Sequence, residues 1–213
     1  MSLIDSHPAL KAASPQAPIA DWFIGDDMHH GGALTLSMSF NFFKGFDQQR
    51  DSLTTTWKPA PKYDSPDMYN FFLKLGPLSN ANEKYLKGKL PFWNAMLKHG
   101  SYDEFWKSRS NLPYFKNVKP AVLLVGGWYD SEDLYGPLNI YKSIEEKNSK
   151  NQTHLVMGPW YHGGWSRGDG GSFGDFKFGE NTSEYYNKNI LLPFFNYYLK
   201  EIGQFHICRV QDL

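Results

Sequence analysis

The sequence predicts an α/β fold built on a parallel sheet, and three features carry that expectation. Two short runs, AVLLVGG from Ala121 to Gly127 and THLVMG from Thr153 to Gly158, each read as an apolar strand that empties into a turn. Between them lies a stretch with helical spacing that begins near Pro137 and carries Leu138, Tyr141 and Ile144 on one face. Proline suits a first helical turn, because the N–H it lacks would be unsatisfied there. A strand, a helix and a strand in this order form a crossover that is nearly always right-handed and leaves the strands parallel. Ligands of such sheets bind beyond the carboxyl ends of the strands.

The other elements follow in chain order. After an Asp5-Ser6-His7-Pro8 turn, Leu10 to Ala17 (LKAASPQA) reads as a short strand, and from Asp21 the chain becomes aromatic and glycine-punctuated. Beyond about Ala33 the segments DMYNFFLKL, LPFWNAMLKH and YDEFWKSRS have helical spacing, set apart by breakers such as Lys58-Pro59-Ala60-Pro61 and Gly76-Pro77. The expected organisation is a first part of an α/β core at 1–33, a helical cap insertion at 34–116, and a second part of the core at 117–213. The glycine cluster from Gly163 to Gly179 reads as a loop. Asn181 followed by Glu184 resembles a capping pair that opens a last aromatic-rich helix through about Leu199, which Pro193 should bend.

Composition narrows the partners. Lys plus Arg equals Asp plus Glu at 22 each, with no block of like charge, so nucleic acid is not expected. No apolar run approaches the roughly 18 residues of a membrane span, and a membrane partner is not expected either. A single cysteine, Cys208, excludes an internal disulfide framework and a cysteine-built zinc site. Aromatics reach 17% and crowd around Asp21 to Phe46 and Trp128 to Trp165, where packing and a ligand pocket are both open readings. Assembly into oligomers also stays open.

Each of the two strongest strands empties into a turn with an ionisable residue, Asp130 in GGWYDSEDLYG and His162 in GPWYHGGW. Acid before histidine at successive strand ends is the chain order of the last two members of a Ser-Asp-His triad in α/β-hydrolases. Asp130 would hold the Nδ1 proton and stabilise the imidazolium while Nε2 takes the proton of a serine. The competing readings are a helix N-cap for Asp130 and an ordinary loop histidine for His162. Glu132 and Asp133 place three carboxylates within four residues, either as a solvated loop or as a negative pocket for a substrate ammonium group. Asp26 and Asp27 in GDDMHH would add to that pocket or, with His29 and His30, resemble metal ligands. Adjacent residues rarely converge on one ion, so no metal and no cofactor are expected. The string Gly170-Gly171-Ser172-Phe173-Gly174 matches G-x-S-x-G, but it lies in a glycine-rich loop after the histidine, whereas a nucleophile elbow needs a strand before it and a helix after. Ser101 opens a helix with no preceding strand. No serine upstream of Asp130 has the elbow context.

Four stretches, DSHPALKAASPQAP, SPQAPIADWFIGDDMHHGGA, GGWYDSEDLYGPL and MGPWYHGGWSRGDG, resemble the α-amino acid ester hydrolases. Those are relatives of glutaryl-7-aminocephalosporanic acid acylase and cocaine esterase among the X-prolyl dipeptidyl-peptidase-like (CocE/NonD) serine hydrolases. The likeness runs from about Leu3 to about Leu199. It implies an α/β-hydrolase core with a helical cap, followed by a jelly-roll domain, in a periplasmic or secreted enzyme. By position it makes Asp130 the triad acid, His162 the triad base, and Asp27, Glu132 and Asp133 the carboxylates that receive an α-ammonium group. The implied substrate is a small ester or amide or a short peptide. In that family the serine, in a G-x-S-Y-x-G elbow, precedes the position of Asp27 by enough to fall before Met1, and EIGQFHICRVQDL no longer resembles the family. The expectation is an internal fragment, inactive by itself, of a hydrolase of α-amino acid esters and amides. An X-Pro dipeptidyl-peptidase, a glutaryl-acylase-like or cocaine-esterase-like hydrolase, and a non-catalytic binding module or remnant are the alternatives.

Overall fold

A computed structural model gives the structure of the protein and describes residues 2–46, 52–53, 65, 67–148 and 150–206. Cys208 and the Lys58 to Pro61 breaker lie outside the described residues. The chain opens with β1 (Ala12–Ala13), β2 (His29–His30) and β3 (Ala33–Leu34). Helices α1 (Leu36–Phe43), α2 (Met68–Leu75), α3 (Ser79–Ala81), α4 (Pro91–Lys98) and α5 (Glu104–Lys107) follow. The crossover is β4 (Ala121–Gly127), α6 (Tyr135–Lys147) and β5 (Thr153–Gly158). A hairpin, β6 (Ser172–Phe173) and β7 (Phe176–Lys177), and then α7 (Thr182–Tyr186) and α8 (Leu192–Lys200), complete the order.

The sheet that positions the site runs β1-β4-β5, all parallel, with Leu124 paired to Leu155 and Gly127 to Gly158. Every residue of β4 is buried because both of its faces are covered. Val122 and Leu124 point toward Ile140 and Ile144 of α6 and toward Phe115. Leu123 and Val125, on the opposite face, meet Trp160, Trp165, Tyr186 and Phe194. Each such aliphatic side chain contributes about 1.5–3 kcal/mol of burial, so the central strand is anchored from both sides. The helices between Leu36 and Lys107 have an aromatic core of their own, built on Phe40, Phe71, Trp93 and Trp106, into which Phe23 and Met28 reach from the preceding segment.

Several expectations need correction. β1 spans Ala12–Ala13, not Leu10 to Ala17. Pro15 has no N–H to give a ladder, and beyond it pairing resumes as a bridge between Gln16 and Val125. α6 starts at Tyr135, which puts Pro137 third, and its buried stripe is Gly136, Pro137, Ile140, Ser143 and Ile144, with Leu138 and Tyr141 at the margins. Gly136 lies so close under the Pro18 carbonyl that a Cβ would collide with it. Asp103, not Ser101, starts α5, its side chain accepting from the N–H of Phe105. The glycine cluster after Gly163 holds a 3₁₀ turn (Gly164–Ser166) and the β6–β7 hairpin, and is not all loop. Asn181 stands at the head of α7 but makes no cap; its Nδ2 donates to Glu184 Oε2 at 3.1 Å. Before Pro193 the helix accommodates the missing N–H with a π turn at Asn187–Leu191.

Candidate active site

The ends of β4 and β5 are joined by backbone bonds that bring their loops together. Trp128 N–H donates to the Gly158 carbonyl at 2.8 Å, and Tyr129 N–H donates to the Trp160 carbonyl at 3.1 Å. Gly127 permits this approach, since any Cβ there would strike the Trp160 carbonyl. One residue beyond each of the exposed rings of Tyr129 and Tyr161 comes an ionisable group.

Asp130 has a fully buried side chain. Its Oδ1 accepts the N–H groups of Glu132 at 2.9 Å and Asp133 at 3.0 Å, closing the turn ahead of α6. The helix N-cap is Leu134, so Asp130 shapes the turn and does not cap the helix. Its Oδ2 lies 3.0 Å from Nδ1 of His162. The imidazole is 38% exposed and stands edge-on to Trp165, with ring centroids 6.3 Å apart. Gly163 behind it takes φ +79°, a conformation that strains other residues. Nδ1 also lies 3.3 Å from Glu132 Oε2 and 3.6 Å from Asp133 Oδ2. A nitrogen facing three carboxylate oxygens is the protonated one in neutral imidazole, which leaves Nε2 as the acceptor.

Asp27 joins this group from the other side. Its N–H donates to the Glu132 carbonyl at 3.1 Å, and its backbone is left-handed at φ +50°, where Asp is among the residues that tolerate the conformation. Burial, and then the charge of Glu132, push its pKa up to about 6. Asp133 is pushed up to about 8 by burial first and then by Asp27, Asp26, Asp130 and Glu132. Among the described residues its buried Oδ1 has no hydrogen-bond partner. Asp27 and Glu132 open on a cleft of about 350 Å³ whose opposite wall includes Met38 and Phe42 of α1. Sequence reading missed Met38 and Phe42; the signal was their spacing by one helical turn, on a face apart from the buried Phe40 and Phe43.

The GDDMHH segment is dispersed. Asp26 turns inward to backbone N–H groups, and the buried His29 pairs Nδ1 with the Trp22 carbonyl at 3.1 Å while its ring packs on Phe23 and Trp106. Burial lowers the His29 pKa. Ser172 begins one strand of an exposed hairpin and is not at a strand-to-helix turn. Also missed was the bond from Tyr102 Oη to Asp21 Oδ2, 2.6 Å long, which spans 81 residues of sequence.

A parallel sheet sandwiched by helices, with an acid-bearing and a histidine-bearing loop meeting at its carboxyl edge, is an arrangement of the α/β-hydrolase type. The family model described as X-Pro dipeptidyl-peptidase (S15 family) matches residues 1–164, and the chain belongs to that family. Two solved structures are similar. One, an aminopeptidase from a marine sediment archaeon, a Thaumarchaeota archaeon, has 31% identity and a TM-score of 0.84 over 97% of this chain and 33% of its own. The other, a selenomethionine-labelled α-amino acid ester hydrolase, has 28% identity and a TM-score of 0.84 over 96% of this chain and 33% of its own. The chain therefore spans about a third of the length of each. No curated protein matches it.

Proposed function

We propose that this chain carries the acid, the base and the substrate-orienting carboxylates of a serine hydrolase that cleaves α-amino acid esters and amides through an acyl-enzyme. In this reading residues 34–116 form a cap on a core made of 1–33 and 117–213, the serine comes from sequence outside these residues, and the chain by itself is inactive. The observation that carries it is the 3.0 Å approach of His162 Nδ1 to a buried Asp130 whose other oxygen is fixed by two backbone N–H groups. His162 Nε2 would take the serine proton as Oγ attacks the carbonyl, and return it to the departing alcohol or amine; water then releases the acyl group by the same two proton transfers. Asp130 holds the ring and stabilises the imidazolium. Asp27, Glu132 and Asp133 would receive the α-ammonium group, whose charge supplies what those desolvated carboxylates lack. Met38 and Phe42 would face the amino acid side chain.

A second reading, favoured by the 31% identity to an aminopeptidase, keeps the machinery and makes the ammonium group the N-terminus of a peptide, as an X-Pro dipeptidyl-peptidase would require. A glutaryl substrate, which brings a further carboxylate to a negative cleft, fits less well. The test uses a full-length, serine-containing parent. Converting Asp27, Glu132 and Asp133 to amides should lower kcat/KM for α-amino esters by on the order of a hundredfold, as loss of about 3 kcal/mol of charge pairing implies, and spare esters without the amine. Equal losses on both ester types would overturn the ammonium role. X-Pro anilides cleaved faster than α-amino esters would select the peptidase reading.

A further inference from the structure

We infer that Glu132, Asp133 and His162 form a binding site for a divalent transition-metal ion of the zinc type, which on binding through Nδ1 locks His162 in the tautomer that cannot serve as a base. The ligand atoms of the three residues lie within 4.8 Å of one another. The two separations from Nδ1, 3.3 Å to Glu132 Oε2 and 3.6 Å to Asp133 Oδ2, carry the geometry. Zinc bonds of about 2.0–2.2 Å at tetrahedral angles place ligand atoms about 3.3–3.6 Å apart, so the two donor pairs that include Nδ1 already stand at the edge lengths of such a polyhedron.

A second observation points to a ligand. Asp133 is 3% exposed, its Oδ2 faces the cluster, and its Oδ1 is without a hydrogen-bond partner among the described residues. A buried carboxylate oxygen left in that state calls for a cation or a donor. Asp130 Oδ2, 3.0 Å from the same nitrogen, is placed to complete the coordination, because Asp130 Oδ1 is held by two backbone N–H groups. One imidazole with carboxylates suits zinc, cobalt or nickel, whereas calcium and magnesium call for six or more oxygen ligands or several retained waters. In the binding step the ion takes the Nδ1 lone pair, the Nδ1 proton leaves to solvent, and solvent delivers one to Nε2. Net charge on the neutral ring is unchanged, and Nε2 can no longer accept.

The consequence for catalysis rests on the proposed function, but binding does not, and the two are tested apart. The 213-residue chain is titrated with Co²⁺ and the ion then displaced by Zn²⁺. One ion per chain, with the intense visible absorption of four-coordinate cobalt, is expected. His162→Ala and the pair Glu132→Gln with Asp133→Asn should each weaken binding at least tenfold, while His99→Gln should leave it intact, although His99 lies 2.6 Å from Asp103. If the paired variant does not fold, His162→Ala, which alters a partly exposed side chain, decides alone. No uptake, a weak six-coordinate spectrum, uptake indifferent to His162→Ala, or uptake abolished by His99→Gln would overturn the inference. The ester comparison is run in chelator, so either result can fail without the other.

Discussion

Asp26 has both carboxylate oxygens occupied by backbone, whereas Asp27, the next residue, faces other acids. Oδ2 of Asp26 accepts the N–H groups of Ala20 at 2.7 Å and Asp21 at 2.9 Å, and its Oδ1 accepts that of Gly136 at 2.8 Å. These bonds tie the loop before β2 to the first turn of α6, where a carboxylate also complements the helix dipole. Burial raises the pKa of Asp26, and the same three N–H groups pull it back down. Asp27 and Asp133 are desolvated without comparable donors, and repulsion among them adds to the effect. A buried acid answered by backbone is a strut, while one left facing its own kind stays uncompensated until a proton or a cation reaches it.

That contrast can be broken by substitution. Asp26→Ala should have the largest effect, because it leaves three buried N–H groups without an acceptor at about 1–3 kcal/mol each. We expect a loss of about 3 kcal/mol or more in urea unfolding. A loss below about 1 kcal/mol would show that the loop is held by other contacts.

Asp133→Asn should act in the opposite direction. The folded pKa of about 8 lies above the ordinary value of 3.8, so the native state binds more protons than the unfolded state between those limits. Stability therefore falls as pH rises through that window, and an amide escapes the fall. The variant should match the parent near pH 4 and exceed it by on the order of a few kcal/mol above pH 8, read from urea midpoints across the range. A constant difference would mean that Asp133 is not carrying the proton.

Tyr102→Phe sharpens the comparison at its weak end. Asp21 would lose the bond to its Oδ2 but keep the N–H groups of Phe23 and Ile24 on Oδ1, so about 1 kcal/mol is expected.

What the sequence made legible is what local pattern controls. β4, β5 and the crossover helix announce themselves by apolar runs and spacing, and Asp130 and His162 are exposed to reading because each lies in the turn just beyond a strand. Asp26 was not legible as a strut, since one of its partners, Gly136, is 110 residues away. Nor does GDDMHH reveal that His29 will pair with the Trp22 carbonyl and pack among aromatic rings while its neighbour His30 stays exposed; that depends on helices arriving later in the chain. The shortness of β1 was readable from Pro15. The close fit of Gly136 under the Pro18 carbonyl was not, because that carbonyl comes from a distant segment.

Tyr186 and Phe194 share one buried cluster although they stand eight residues apart. At about 100° per residue, an unbroken α-helix would leave their side chains about 80° out of phase. The π turn at Asn187–Leu191 takes up one additional residue, so the winding lags by about 100° and the two rings return to nearly the same azimuth. The helix thus keeps time with its core while carrying a beat more than regular winding would need, and the extra length sits at the exposed positions Lys188 and Asn189. Chain length along this helix is uncoupled from the contacts it serves, and rotation about its axis absorbs the mismatch.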